Sequence, residues 1–238
     1  MNARTLRPRV HDWASFVGAV AALAAVTALV AGDVVVALAF GLVAVGNLVG
    51  ARRSSRRDPR PMPHALRWVL YLPRWPLTVA RLRRILRPRP GERLLEIGPG
   101  VGIYTVPVAG TLGEGTLDAV DVQPQMLADL ARRTRAAGVH NVVAAEGDAQ
   151  RLPYLDAVFD GAYLVGVLGE IPDPGAALRE LRRVLKPGGR LVIGEVLVLD
   201  PDGLGLALLR EIAGAAGFVL EERLGPRVAY FARFRGAP

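Results

Sequence analysis

Leu94-Leu95-Glu96-Ile97-Gly98-Pro99-Gly100-Val101-Gly102 decides how the chain is read. Its first four residues form a short apolar run broken once by a carboxylate, the mark of a buried strand. Glycines at 98, 100 and 102 let the backbone approach a ligand where a Cβ would collide. The pattern predicts a helix directly after the turn, over residues 103–111, with its unpaired N–H groups and positive dipole end turned to an anionic group. Glu96, two residues before the first glycine, puts a carboxylate at the strand's end. A ligand carrying both a carboxylate and a cation suits that pairing.

Two other readings of the stretch stay open on local grounds. Glycines also mark ordinary tight turns. The dinucleotide fingerprint G-x-G-x-x-G is the other competitor, but position 103 is Ile, so the third glycine falls one residue early.

Downstream, strand and helix patterns alternate. Strands are expected over 93–97, 116–122, 142–146, 159–165, 190–198, 219–224 and 228–235, with helices over 103–111, 124–137, 175–185 and 204–216. Pro124 suits the first turn of a helix, Gly138 the residue past its end, and Asp173 before Pro174 an N-cap. The expected fold is α/β: a doubly wound, mostly parallel seven-stranded sheet covered by helices on both faces. The last two strands are joined by too few residues for a crossover and must be antiparallel. Ligands on such sheets bind at the carboxyl ends of strands, at the switch point. Asp121 and Asp148 fall at those ends, placed for a ribose diol and an exocyclic amine. Asp160, at the start of its strand, suits a brace.

Upstream, two uncharged apolar runs, 14–31 and 34–51, flank Gly32-Asp33. Each has the length of a membrane-crossing helix, and Gly-Asp suits a tight turn. The expected arrangement is two transmembrane helices in a hairpin. A cleaved signal ending at Val30-Ala31-Gly32 with the second run as anchor, two buried helices of a soluble domain, or a single bent span are the alternatives. Arg4, Arg7 and Arg9 before the hairpin and Arg52, Arg53, Arg56 and Arg57 after it place both ends in the cytoplasm. Gly18, Ala22 and Ala25, with Gly41, Val45 and Gly46, would let the helices pack closely.

Residues 52–63 read as a basic linker with prolines at 59, 61 and 63. Pro73 and Pro76 then divide an aromatic and basic stretch, 65–86, into two short helices. The first half, with Arg67, Trp68, Tyr71 and Trp75, suits a surface-lying segment that meets anionic headgroups. The second suits docking on the following domain through Leu77, Val79, Leu82, Ile85 and Leu86. The domains are therefore 1–51 (membrane hairpin), 52–75 (basic linker and interfacial segment) and 76–238 (the α/β domain).

The 238 residues include no cysteine, which excludes disulfides, thiolate metal sites and cysteine nucleophiles. His11, His64 and His140 are scattered without metal-ligand spacing, so no metal is expected. Of the net charge of +8, residues 1–90 carry 15 arginines against three aspartates, while the rest carries 15 basic and 19 acidic groups. Because the basic excess abuts the apolar hairpin, it suits a membrane partner and not nucleic acid.

The set E-I-G-P-G-V-G, V-D-V-Q-P-Q-M-L, A-E-G-D-A-Q-R-L-P, F-D-G-A-Y and R-R-V-L-K-P-G-G-R-L resembles the class I S-adenosylmethionine-dependent methyltransferases, in the branch that includes the ubiquinone/menaquinone C-methyltransferases. The resemblance covers residues 91–238 and implies a Rossmann-like fold with S-adenosyl-L-methionine as cofactor. It implies that Glu96 and the turn of Gly98, Pro99, Gly100 and Gly102 hold the methionine end. Asp121 would bind the ribose, with Val122 and Met126 beside the adenine. Asp148 would contact the adenine amine, Ala149 the ring, and Tyr163 would face the methionine. Lys186-Pro187-Gly188-Gly189 would be the turn before the fifth strand. The amine-directed Asn-Pro-Pro-Tyr pattern is absent, and Glu170 and Tyr163 are the polar groups best placed to meet an acceptor. The expected activity is methyl transfer to a small amphiphilic or lipid-like acceptor by an enzyme of the cytoplasmic membrane. A non-catalytic S-adenosylmethionine-binding scaffold or sensor, and a nucleotide-dependent oxidoreductase, are the rival readings.

Overall fold

The computed structural model describes residues 10–71, 75–197 and 200–237. Arg4, Arg7, Arg9, Pro73, Arg74 and Val198, which enter the expectations above, lie outside the described residues.

Helix α1 (Val10–Val30) and helix α2 (Val34–Arg57) pack along one another as a hairpin. The turn follows from Gly32-Asp33. Gly32 takes φ +83°, the Asp33 amide donates to Ala28 O at 2.9 Å, and the Gly32 amide to Leu29 O at 3.1 Å. This pair of bonds caps a helix C-terminus. Asp33 Oδ1 then accepts from the Val36 amide at 3.0 Å and caps the start of α2. The polar Thr27 and Asn47 side chains bond back to carbonyls of their own helices, leaving outward faces of Leu23, Val35, Leu38 and Leu42.

Among the described residues one helix, over Val34–Ser54, is long and apolar enough to cross a bilayer, and the apolar part of α1 is the shorter Val20–Val30. Helix α2 runs past the expected end at residue 51, because nothing breaks it before Asp58-Pro59. Gly18 and Ala21 are buried, whereas Gly41 and Gly46, expected at the helix contact, have open space where a Cβ would stand.

A 3₁₀ strap, His64–Tyr71, leads to α3 (Val79–Leu86), capped by the Thr78 hydroxyl. Then follow β1 (Arg93–Ile97), α4 (Thr105–Ala109), β2 (Thr116–Asp121), α5 (Pro124–Ala136), β3 (Val142–Glu146) and β4 (Phe159–Val165). The chain ends with α6 (Pro174–Val184), β5 (Leu185–Val196), α7 (Leu206–Ala215), β6 (Phe218–Leu224) and β7 (Ala229–Gly236).

The sheet order is β3-β2-β1-β4-β5-β7-β6. All pairs up to β4–β5 are parallel, and β7 runs antiparallel to both β5 and β6. The chain winds outward from β1 to β3 and returns to β4 on the other side of β1. The switch point therefore lies at the carboxyl ends of β1 and β4.

Alternation along each strand assigns its two faces. Leu95, Ile97, Ala162, Leu164, Leu191 and Ile193 join the core with α6 and α7. Leu94, Tyr163, Val165 and Val192 join the other core, with Leu82, Ile85 and Leu86 of α3. Strand β5 begins five residues earlier than expected. Leu185 pairs with Phe159 and Arg190 with Gly161, so Lys186-Pro187-Gly188-Gly189 bulges from a continuing strand.

Candidate active site

The glycine turn joins β1 to α4 at the switch point. Gly98, Gly100 and Gly102 have φ of +66°, +53° and +81°, a region that favours glycine. A Cβ on Gly98 would stand 2.6 Å from Val167, and one on Gly102 2.6 Å from Leu130. Helix α4 starts only at Thr105 and has five residues, so the expected long helix with its amides facing a ligand is not formed. The Val-Pro pair at 106–107 and Gly110 leave room for little more than one turn. The glycine amides are already used. Gly98 donates to Val120 O at 2.8 Å and Gly102 to Pro99 O at 2.9 Å, and the Gly100 amide favours the charge of the Asp121 carboxylate.

What the cleft offers a ligand is therefore acidic. Glu96 is 2% exposed, and the Tyr163 hydroxyl donates to its Oε2 at 2.8 Å. These residues face one another because Glu96 of β1 is in register with Tyr163 of β4. Burial pushes the Glu96 carboxyl up to about 7 against the hydroxyls of Thr105 and Tyr163, and the neighbouring Asp121 charge adds to the rise. Burial, then Glu96, raises the Tyr163 hydroxyl well above its ordinary value, so this side chain serves as a hydrogen-bond donor and not as a base.

Asp121 closes β2 and is nearly buried. Its Oδ1 accepts from the Gln123 amide at 2.9 Å. Burial raises its pKa, opposed by the amides of Gln123, Gly100 and Val122. The Gly147 amide donates to Asp121 O at 3.1 Å, which sets Asp148, past the end of β3, beside it. Asp148 is exposed and bonded to the Gln150 amide at 2.9 Å. Met126 and Ala149 are buried, and Val122 is exposed. Asp160 is far from this edge, bracing Lys186 and the Arg93 amide at the opposite ends of the strands. A cavity of about 520 Å³ at that opposite edge is lined by Lys186, Arg190 and Arg235; Glu92 holds Arg190 and Glu221 faces Arg235.

Glu170, in the short 3₁₀ turn after β4, accepts from the Met62 amide at 3.0 Å. Burial, then Asp202, Asp200 and Asp121, raise its pKa well above the carboxylate range. Glu195 at the end of β5 is raised in the same way, first by burial. Its Oε2 accepts from the Leu204 amide at 3.0 Å, and its buried Oε1 has no hydrogen-bond partner among the described residues.

The sequence reading missed the strap, taken with the Met62 lead-in just before His64, as a wall of this cleft. Met62 lies between Pro61 and Pro63, which have no N–H, so its amide is the one backbone donor of the three residues. That amide reaches Glu170, and its carbonyl accepts from Gln123 Nε2 at 2.9 Å. His64 Nε2 and Asp129 Oδ2 lie 2.9 Å apart, and Arg67 Nε lies 3.2 Å from the same oxygen. The proline spacing was the available signal.

A buried carboxylate, a second nearly buried acid and a glycine cradle fit a ligand with an ammonium, a sulfonium and a ribose. A pyrophosphate dianion would meet like charge here. The buried Thr105 hydroxyl at the start of α4 favours the charged form of Glu96.

Residues 95–193 match the family model described as a methyltransferase domain. The ubiquinone/menaquinone biosynthesis C-methyltransferase UbiE of Ruegeria sp. (strain TM1040) is 36% identical over 120 residues, covering 50% of this chain and 48% of that protein. The 27-O-demethylrifamycin SV methyltransferase of Amycolatopsis mediterranei (strain S699) is 36% identical over 126 residues, covering 52% of this chain and 46% of its own. The chain thus spans about half the length of the curated relatives it matches. A SAM-dependent methyltransferase from Aquifex aeolicus shares the fold with a TM-score of 0.67, covering 73% of this chain and 98% of that one at 20% identity.

Proposed function

We propose that the chain is an S-adenosylmethionine-dependent methyltransferase, anchored in the cytoplasmic membrane by α1 and α2, that methylates a small amphiphilic or lipid-like acceptor. The observation that carries the reading is the pairing of buried Glu96 with Tyr163 beside the glycine turn and Asp121, at the switch point of a sheet that matches a methyltransferase domain. When bound, the cofactor supplies an electrophilic methyl group on a sulfonium.

The chain's own residues hold and orient. Glu96 takes the ammonium and Asp121 the ribose diol. Gly98, Pro99, Gly100 and Gly102 leave room for the methionine end. Val122, Met126 and Ala149 border the adenine, and Asp148 meets its amine. Tyr163 fixes the Glu96 carboxylate. In-line transfer needs alignment of donor and nucleophile, so positioning supplies most of the rate. Water exclusion helps because sulfonium charge disappears in the transition state. Glu170 is the candidate base where the acceptor must lose a proton.

The membrane half of the reading rests on the outward apolar faces of the hairpin and the arginines at the end of α2, Arg52, Arg53 and Arg57, against Asp33 alone at the turn. The two ends of the hairpin then face the cytoplasm with the catalytic domain.

Calorimetric titration with S-adenosylhomocysteine tests the site: the native chain binds and Asp121→Ala does not. Incubation with labelled S-adenosylmethionine and fractionated membranes tests the acceptor: label enters the lipid extract. No binding, or binding unaffected by Asp121→Ala, would overturn the assignment.

A further inference from the structure

The strap makes two kinds of contact, one inward and one outward. Inward, it is pinned to both sides of the cleft mouth: Met62 to Gln123 beyond β2, and to Glu170 beyond β4. Leu70 then covers the glycine turn. A Cβ on Gly100 would stand 2.9 Å from Leu70 Cδ1, so this side chain fills the space that the missing side chain leaves to a ligand. Outward, the strap and Trp75, four residues past its end, turn three aromatic side chains to solvent, with Trp68 50%, Tyr71 59% and Trp75 76% exposed. Cations lie among them, Arg81 over the Trp75 ring at 5.7 Å and Arg133 over Tyr71 at 5.8 Å. The strap begins only a few residues beyond α2, whose apolar window ends at Ser54. Aromatic rings and arginines at that distance from a span belong at the headgroup level.

Arg67 connects the two faces. It is half exposed, yet its Nε bonds Asp129. Asp129 also holds His64 and Arg132, so a headgroup phosphate can take Arg67 without leaving that carboxylate alone.

We infer that the outer face of the strap binds anionic lipid headgroups, and that this binding draws Leu70 off the glycine turn and opens the cofactor cleft. The inference rests on the membrane-anchored reading above and adds a control to it. With the strap seated, Gly100 is covered and the cofactor exchanges slowly. With Arg67 on a phosphate and Trp68 in the interface, the strap is still tied by the two hydrogen bonds of Met62 and by His64 on Asp129.

The full chain has no cysteine, so Leu70→Cys introduces a single thiol on the covering residue. The protein is placed in nanodiscs of phosphatidylcholine, or of phosphatidylcholine with phosphatidylglycerol, and alkylation by a water-soluble maleimide is timed. The expected result is alkylation about fivefold faster with phosphatidylglycerol, the worth of one arginine at an anionic surface. Arg67→Gln in the same background is expected to react fast in both discs and to lose the lipid dependence. In the chain without the cysteine, association of S-adenosylhomocysteine is expected to speed up with phosphatidylglycerol by a similar factor. Equal alkylation in the two discs, or full lipid dependence retained in Arg67→Gln, overturns the inference. Lipid-dependent alkylation without any S-adenosylhomocysteine binding would uphold the strap's response and sink the methyltransferase assignment instead.

Discussion

Replacing Tyr163 by Phe removes one oxygen from the core and leaves the ring that fills it. The lost atom is the donor to Glu96 Oε2 at 2.8 Å, in a site shut off from water. Glu96 titrates at about 7 with that donor in place, because burial disfavours its charge and Tyr163 opposes burial. Only the ionised form pairs with the ammonium of S-adenosylhomocysteine, so affinity in the native chain should rise between pH 6 and 8. A hydrogen bond to a charged group contributes about 1.5–3 kcal/mol, and losing it should raise the Glu96 carboxyl by about one unit or more. For a one-unit rise, binding should weaken about fivefold at pH 7, and the defect should close near pH 9, where Glu96 is ionised in both proteins. Calorimetric titration across this range reads both curves, and the ligand's own ammonium titrates identically in each. A flat profile in the native chain, or a native-to-variant ratio that does not change with pH, would refute the role given to Glu96 and Tyr163.

Gly98→Ala should lower stability by about 1–2 kcal/mol from the left-handed backbone alone, and by more because its Cβ would meet Val167 at 2.6 Å; thermal unfolding measures the loss. Glu92→Gln leaves Arg190, whose side chain is 10% exposed, without its carboxylate partner and should cost about 3 kcal/mol by denaturant titration. The raised carboxyls set the sign of the pH dependence. Glu96, Glu170 and Glu195 bind protons more tightly folded than unfolded, so stability is fullest in acid and falls as pH rises from the ordinary carboxylate range through the folded values. Glu96 by itself should cost about 3 kcal/mol between its ordinary value of 4.5 and about 7, and Glu96→Gln should flatten that part of the curve. Leu82→Ala, in the contact of α3 with the sheet, should cost about 2–5 kcal/mol, which unfolding of the full chain would show.

Sequence by itself determined whatever a short window of residues decides. Glu96 before Gly98, the acids Asp121 and Asp148 at strand ends, Pro124 and Asp173 at helix starts and the Gly32-Asp33 turn were all legible. Each depends on neighbours within about one turn of helix or one strand. The helix after the glycine turn is shorter than its apolar run suggests, because Pro107 and Gly110 limit it to Thr105–Ala109. Tertiary structure alone decided what meets across the chain. Glu96 and Tyr163 are 67 residues apart, and only the register of β1 against β4 puts a hydroxyl on that carboxylate. Strand β7 inserts between β5 and β6, which no local pattern specifies. Met62 reaches Gln123 and Glu170 across 61 and 108 residues. Side-chain period fixes which way each residue points along its own element. Which element stands opposite is fixed by how the whole sheet winds, and that is where this cleft acquires its walls.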